Sequence, residues 1–179
     1  TPEPGAPRPV GDPGNGGLSR YTALGLPAGG GRYVYAFDRH DNRVLRYDAS
    51  AGDVDRYPGS AGEQAGKVIA GGINPANGIY YYAASGSPWT QFAFNTATNT
   101  AIGKVGTMTG SSGNGDFAFD AVGNLYVVSN PSNNNGNDAG TLTRFNGPLP
   151  TVAGSASLTG TVLTSALPAD SGSYAAMAF

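Results

Sequence analysis

A motif of about 47 residues occurs three times in this chain of 179 residues, and a repeat of that length limits the fold more than any other feature. An aromatic strand anchor recurs at intervals of 47 and 46 residues, at Tyr33, Tyr80 and Tyr126. The strand before it recurs at the same two intervals, at Leu26, Ile73 and Phe119. Because two separate anchors agree, each copy is predicted to be one structural unit.

Each copy is predicted to contain four short strands, because runs of Tyr, Val, Phe, Ile and Thr alternate with clusters of Gly, Asn, Asp and Pro. In the third copy the predicted strands cover residues 115–120, 124–129 and 141–146, with a fourth between 151 and 163. No stretch has apolar residues at helical spacing over three turns, and the 29 glycines and 13 prolines disfavour long helices. The sequence therefore predicts an all-β fold.

Four strands in a repeat of this length are typical of a β-propeller blade. We predict a β-propeller-like fold with three four-stranded antiparallel blades and one leading strand of a fourth. The predicted blades cover about residues 20–62, 67–110 and 114–165, and the lone strand covers 173–179. Residues 1–17 are rich in Pro and Gly and are expected to form a linker or a processed amino terminus before the repeat region, 18–179.

Phe179 aligns with the first-strand anchors, so the sequence stops one strand into a predicted fourth blade. Known propellers need about four to eight blades to close a ring. Three alternatives follow: further blades from a longer chain, completion by a second chain, or a smaller open β structure. We favour the first, because an open propeller leaves a sheet edge unpaired.

Charge and cysteine content exclude several classes of partner and site. Only 12% of residues are charged and the formal net charge is −2, which predicts binding neither to nucleic acid nor to an anionic membrane surface. No apolar run approaches the roughly 18–20 residues of a membrane span. The absence of cysteine rules out disulfides and thiolate metal sites. Few lysines and many Ser, Thr, Asn and Gly residues are typical of exported proteins of Gram-positive bacteria, which predicts an extracellular or cell-surface location.

Three segments carry a resemblance to a known family: GINPANGIY (72–80), GDFAFDAVGNLYVVS (115–129) and TLTRFN (141–146). They resemble the propeller-type repeat domain of large secreted or cell-wall-anchored actinobacterial surface proteins. In that family, stalk domains of immunoglobulin or pilin type and a wall-sorting signal often follow the propeller. The resemblance covers roughly residues 18–179, describes blade geometry, and implies no catalytic residues.

Residues with reactive side chains are few. His40 is the only histidine and lies in a predicted turn between Asp38 and Asp41, where it is either a general base or metal ligand, or a solvated turn residue. We favour the turn residue, because one histidine cannot form a histidine metal site. Acidic residues that offer oxygens for calcium lack the spacing of a calcium loop: Asp38, Asp41, Asp48, Asp116 and Asp120. They are expected to hold turns, so no catalytic or metal residue is predicted.

Two places are candidate binding sites. The insertion at residues 130–140 offers amides and one carboxylate for calcium or a carbohydrate, through Asn133, Asn134, Asn135 and Asp138, with a mobile polar loop as the alternative. Trp89, the only tryptophan, is suited to stack on a sugar ring if exposed and to pack between blades if buried. We expect no cofactor, with calcium at the asparagine-rich loop as the alternative.

The sequence thus predicts a non-catalytic module that presents loops for adhesion, for contact with a protein or carbohydrate ligand, or as a structural spacer. The alternative is a metal-dependent propeller enzyme of the lactonase or lyase type, which needs inward-facing acids or histidines. The predicted inner-strand residues are apolar or glycine, apart from Asp116: Leu24, Leu26, Gly71, Ile73, Phe117 and Phe119. That pattern favours the binding module.

Overall fold

A computed structural model describes residues 21–25, 32–130 and 140–167. The first sheet has the order β1-β2-β3-β4 and is antiparallel throughout. Its strands follow the chain from the inner to the outer edge: β1 (Tyr21–Gly25), β2 (Tyr33–Asp38), β3 (Arg43–Asp48) and β4 (Asp53–Pro58). The predicted linker at 1–17 and lone strand at 173–179, which includes Phe179, lie outside the described residues.

The second sheet follows a short 3-10 helix, η1 (Gly62–Lys67), and repeats the same antiparallel order. Its main strands are β5 (Val68–Ile73), β6 (Ile79–Ala84), β7 (Trp89–Asn95) and β8 (Thr100–Thr109). The third sheet contains β9 (Asn114–Phe119), β10 (Leu125–Asn130), β11 (Gly140–Phe145) and β13 (Thr161–Leu167), and β12 (Ala156–Thr159) precedes its last strand.

The three sheets stack through their first strands, because β5 packs between β1 and β9. Sheets of four sequential strands that meet along their inner strands are the blades of a propeller. The predicted all-β, propeller-like fold with four-stranded antiparallel blades is therefore confirmed for the described residues. We call the three sheets blades one, two and three.

The segment predicted to supply one fourth strand to blade three instead makes two strands in different blades. β12 joins the outer edge of blade two as a fifth strand, parallel to β8, whereas β13 pairs with β11 in blade three. Gly160 separates them at a crowded point, because a Cβ there would collide with Thr143 and lie 2.9 Å from the Phe145 ring. Gly106 lets β12 approach, since a Cβ there would lie 2.6 Å from the Ala156 carbonyl oxygen.

Tyr80, Tyr81 and Tyr82 connect the two hydrophobic clusters of the described residues, one between blades one and two and the other between blades two and three. Because side chains alternate along a strand, Tyr80 and Tyr82 face blade one and Tyr81 faces blade three, and all three are fully buried. The three rings therefore pack between the blades.

The tyrosines that define the repeat do not share one structural position. Tyr33 packs into the interface between blades one and two from blade one, and Tyr80 enters the same interface from blade two. Tyr126 alternates with Leu125 and Val127, which face blade two, so its own side chain lies on the opposite face of blade three. The pairing register explains why Tyr80 and Tyr126 differ, because Tyr80 pairs with the first-strand anchor Ile73, whereas Leu125, not Tyr126, pairs with the equivalent anchor Phe119. A shift of one residue in register moves a side chain to the other face of the sheet.

Candidate functional site

Trp89 occupies the packed region between blades two and three. Its side chain has no exposed surface, and its indole Nε1–H donates to the carbonyl oxygen of Gly113 at 3.0 Å. An indole with no accessible face cannot stack on a sugar in this conformation. The structure packs Trp89 between the blades, which is the second of the two interpretations that the sequence allowed.

The predicted binding loop is not described, so Asn133, Asn134, Asn135 and Asp138 lie outside the described residues. Within the described ranges, no group of three or more His, Asp or Glu side chains is placed to hold a metal ion. In that same part of the chain, no helix has the length and apolar character to cross a membrane.

His40 lies in an exposed turn whose backbone is held by a carboxylate. The Asp38 Oδ1 accepts hydrogen bonds from the backbone N–H groups of His40 and Asp41 at 3.0 and 3.2 Å. The His40 Nδ1 lies 2.7 Å from the Asp41 carboxylate. This is the arrangement of a turn histidine with a neighbouring acid.

Three other side chains shape turns in the way predicted for the acidic residues. Asp48 Oδ1 accepts from the N–H groups of Ser50 and Ala51 at 2.9 and 3.2 Å, and Asn95, one repeat later, makes the equivalent pair at 2.9 and 3.2 Å. Asp120 Oδ1 accepts from the Asn124 N–H at 2.8 Å. Hydrogen bonds from the Asn124 side chain and from neighbouring backbone N–H groups lower the pKa of Asp120. These oxygens order the turns.

A cluster that the sequence did not predict lies on the face of blade one that meets blade two. We call it the arginine–tyrosine cluster, and its members are Arg32, Tyr33, Arg46, Asp48, Asp55 and Tyr57. The Arg46 guanidinium carbon lies 4.4 Å from the Tyr33 ring centroid and 5.7 Å from that of Tyr57. Both contacts are within the range of cation–π attraction.

Two ion pairs complete the cluster. Arg46 donates to Asp55 Oδ2 from Nε at 3.1 Å and from Nη2 at 2.6 Å, and this bond raises the pKa of Arg46. Arg32 Nη2 lies 2.5 Å from Asp48 Oδ2, and its guanidinium carbon lies 5.7 Å from the Tyr33 ring centroid. The hydrogen bond from Arg32 is the main cause that lowers the pKa of Asp48 to about 2, and the backbone donors of Ser50 and Ala51 act in the same direction.

The cluster offers both polar and aromatic contacts at the surface. The side chains of Asp55 and Arg32 are more than half exposed, Arg46 is 22% exposed, and Tyr33 and Tyr57 are half-buried. Burial is the main cause that raises the pKa of Tyr57. Tyrosine and arginine held in place by packing are the residues that most often dominate binding energy at interfaces.

Strand pairing explains why the sequence alone did not reveal this cluster. Tyr35, Arg46 and Asp55 pair across β2, β3 and β4, and their positions along the chain do not by themselves show this pairing. The sequence does show which residues share a face, because side chains alternate along a strand. Tyr33 and Tyr35 share one face of β2, and Asp55 and Tyr57 share one face of β4. Using it required the register between strands, which a single sequence does not supply.

Comparison with protein-family models gave no match. Comparison with curated proteins gave no match either.

Solved structures share the fold. The chain is similar to the PQQ-bound aldose sugar dehydrogenase of Streptomyces coelicolor, with a TM-score of 0.50 and 14% identity over 72% of this chain and 45% of that one. It is also similar to an auxiliary nutrient binding protein of Bacteroides thetaiotaomicron, with a TM-score of 0.55 and 11% identity over 87% of this chain and 34% of that one. An auxiliary nutrient binding protein of Bacteroides ovatus is similar as well, with a TM-score of 0.54 and 12% identity over 88% of this chain and 34% of that one.

The chain therefore spans less than half the length of each of these structures. At such identities the likeness concerns the fold, and it agrees with the propeller-type arrangement of the blades.

Proposed function

We propose that this chain is a non-catalytic binding module that acts outside the cell or at the cell surface, as the sequence resemblance to Gram-positive wall-anchored proteins implies. Its blades form a rigid base, and its surface contacts a carbohydrate or protein ligand in adhesion or nutrient capture. The similarity in fold to two nutrient-binding proteins is compatible with this role. If the chain binds no ligand, its proposed role is that of a structural spacer.

The observation that carries the proposal is the arginine–tyrosine cluster. Arg46 is fixed between Tyr33 and Tyr57 and tied to Asp55, so its remaining donors are positioned before a ligand arrives. Preorganised side chains lose little conformational entropy on binding. Tyrosine faces and paired arginine and aspartate groups match the apolar faces and hydroxyls of sugars, and equally the polar surface of a protein.

The test is binding of the full chain to a glycan array and to an array of extracellular matrix proteins. Arg46→Gln should weaken any signal at least about tenfold, the scale of an interface hot spot. Arg56→Gln is the matched control, because Arg56 is exposed on the neighbouring outer strand β4, where it pairs with Leu45 and lies on the opposite face from Arg46. Circular dichroism should show that both variants are folded.

Three outcomes would contradict the binding role, and the first of them leaves the structural spacer as the remaining form of the proposal. One is no binding to either array, and another is equal loss of binding with Arg46→Gln and Arg56→Gln. The third is a rise in Tm on addition of Ca²⁺, Mg²⁺, Mn²⁺ or Zn²⁺ together with lactone hydrolysis or polysaccharide cleavage, which would support a metal-dependent propeller enzyme instead.

A further inference from the structure

The outer edges of the three blades differ in how they are protected. On blade one, β4 carries charged residues and a terminal proline along its edge: Asp53, Asp55, Arg56 and Pro58. On blade two, β12 pairs in parallel with residues 106–109 of β8 and covers that part of the edge. Charge, proline and covering strands are the means by which proteins prevent unwanted strand pairing.

Among the described residues, none of these protections is found at the outer edge of blade three. β13 has the sequence TVLTSAL, with no charged residue and no proline in its seven positions. In the part of the chain that the structure describes, β13 pairs with β11 alone. Val162 and Leu163 are 53% and 46% exposed along it. An uncharged edge strand with exposed apolar side chains readily accepts another strand.

The fifth strand of blade two shows what kind of strand can extend a blade of this protein. β12, with the sequence ASLT, is uncharged and extends blade two through its pairing with β8. The second half of β13, TSAL, has the same composition. When β13 pairs antiparallel with another β13, no charge is placed opposite a like charge, and Thr, Val and Leu side chains lie next to one another, which favours such pairing.

We propose that β13 is a self-association edge, at which the β13 strands of two copies of this chain pair antiparallel and join the two third blades into one continuous sheet. The pairing is symmetric, since the same strand serves both copies. Seven residues bury far less than the roughly 1,200 Å² of a stable interface. The dimer is therefore weak and forms reversibly as concentration rises, with a dissociation constant of roughly micromolar or above.

The test is sedimentation velocity of the full chain over a wide range of protein concentration. The weight-average mass of the wild type should rise from that of one chain toward that of two. Leu163→Lys places a charge on the edge and should keep the chain monomeric throughout, because two lysines would meet across the symmetric pairing. Val152→Lys is the matched control, since Val152 is 71% exposed and lies outside β13, and it should dimerise like the wild type.

Cysteine variants locate the contact, because the natural chain contains no cysteine. Cysteines placed singly at Val162, Leu163 and Thr164 should include at least one that forms a disulfide-linked dimer rapidly under mild oxidation, while Val152→Cys should not. A wild type that stays monomeric at every concentration would overturn the proposal. So would equal dimerisation of Leu163→Lys, or cross-linking no faster on β13 than at Val152.

Discussion

The two interfaces of blade two differ in how far they rely on stacked aromatic rings and on close approach at glycine. Toward blade one, aromatic rings meet in a continuous stack: Phe37 and Tyr82 are 4.7 Å apart between centroids, Tyr82 and Phe92 are 5.5 Å apart, and Tyr80 lies 5.6 Å from Tyr82. The Tyr82 hydroxyl at the end of the stack lies 2.7 Å from the Ser60 hydroxyl and accepts from the Ser60 N–H at 3.0 Å.

Toward blade three, close approach depends on glycine. Gly72 leaves room for Phe117 and Phe119, which would lie 3.6 to 3.8 Å from an added Cβ. Gly115 is much tighter, because a Cβ there would come within 3.0 Å of the Trp89 ring across the interface and would also collide with the Val128 carbonyl oxygen on the neighbouring strand of blade three. The remaining contacts are mostly aliphatic, with Met108, Leu125 and Val127 among them.

This comparison shows that different interactions can hold the two sides of one blade. The first interface depends on large side chains that are present, so it should be most sensitive to truncation. The second relies more on close approach at glycine, so it should be the more sensitive to enlargement.

The largest effect is expected from truncation in the aromatic stack. Phe37→Ala removes a fully buried ring and should lower the free energy of unfolding by about 3–5 kcal/mol. Tyr47→Ala is the control, because Tyr47 belongs to the same blade but is 41% exposed. Urea unfolding measures both variants. Similar losses for the two would show that burial in the stack does not decide the stability of this interface.

A smaller but clear loss is expected from enlargement at the second interface. Gly115→Ala should cost about 1–3 kcal/mol, since Trp89 or the β10 backbone must shift. Gly72→Ala is matched to it in residue type, strand setting and interface, but its Cβ would make only ordinary contacts. Urea unfolding should therefore place Gly72→Ala close to the wild type. If Gly72→Ala were the worse of the two, close approach at Gly115 would not be the limiting feature.

Removing one hydroxyl from the aromatic stack should cost about 1 kcal/mol. Tyr82→Phe keeps the ring but takes away the acceptor of the Ser60 N–H, which lies in a half-buried setting. Tyr47→Phe, at the exposed tyrosine, should leave the urea midpoint unchanged. A midpoint for Tyr82→Phe equal to that of the wild type would mean that the rings alone hold this end of the interface.

The smallest effect is expected at acid pH, from the ion pair between Arg32 and Asp48 in the arginine–tyrosine cluster of blade one. Arg32 lowers the pKa of Asp48 from an ordinary value of 3.8 to about 2. A lowered pKa contributes stability that is present above about pH 4 and is lost as pH falls toward 2. Wild-type Tm should decline across this window, and Asp48→Asn and Arg32→Gln should each reduce the decline. An NMR titration that placed the Asp48 pKa near 4 would contradict this assignment.

Much of the fold follows from local chemistry and could therefore be predicted. Tyr, Val and Phe runs between Gly and Asn clusters mark the strands, and the Asp48 and Asn95 turns repeat because each side chain bonds its own backbone. The two-residue alternation that divides Tyr80 and Tyr82 from Tyr81 is likewise a property of the strand itself.

The candidate site and the proposed contact edge could not be predicted in this way. Arg46 reaches Tyr33, Tyr57 and Asp55 only through the pairing of three strands. Tyr80 and Tyr126 lie on different faces because the pairing with the first strand is shifted by one residue, so that Leu125 takes the ladder position of Tyr80.

The sequence by itself thus determined the strand content, the repeat, the turns and the absence of a thiolate site, because these depend on residue types and neighbours along the chain. The tertiary structure decided that Trp89 is buried, that β12 crosses to blade two, and that Arg46 sits between two tyrosines. These features depend on register and on the space left by Gly106 and Gly160, which are set only when strands from distant parts of the chain pack together.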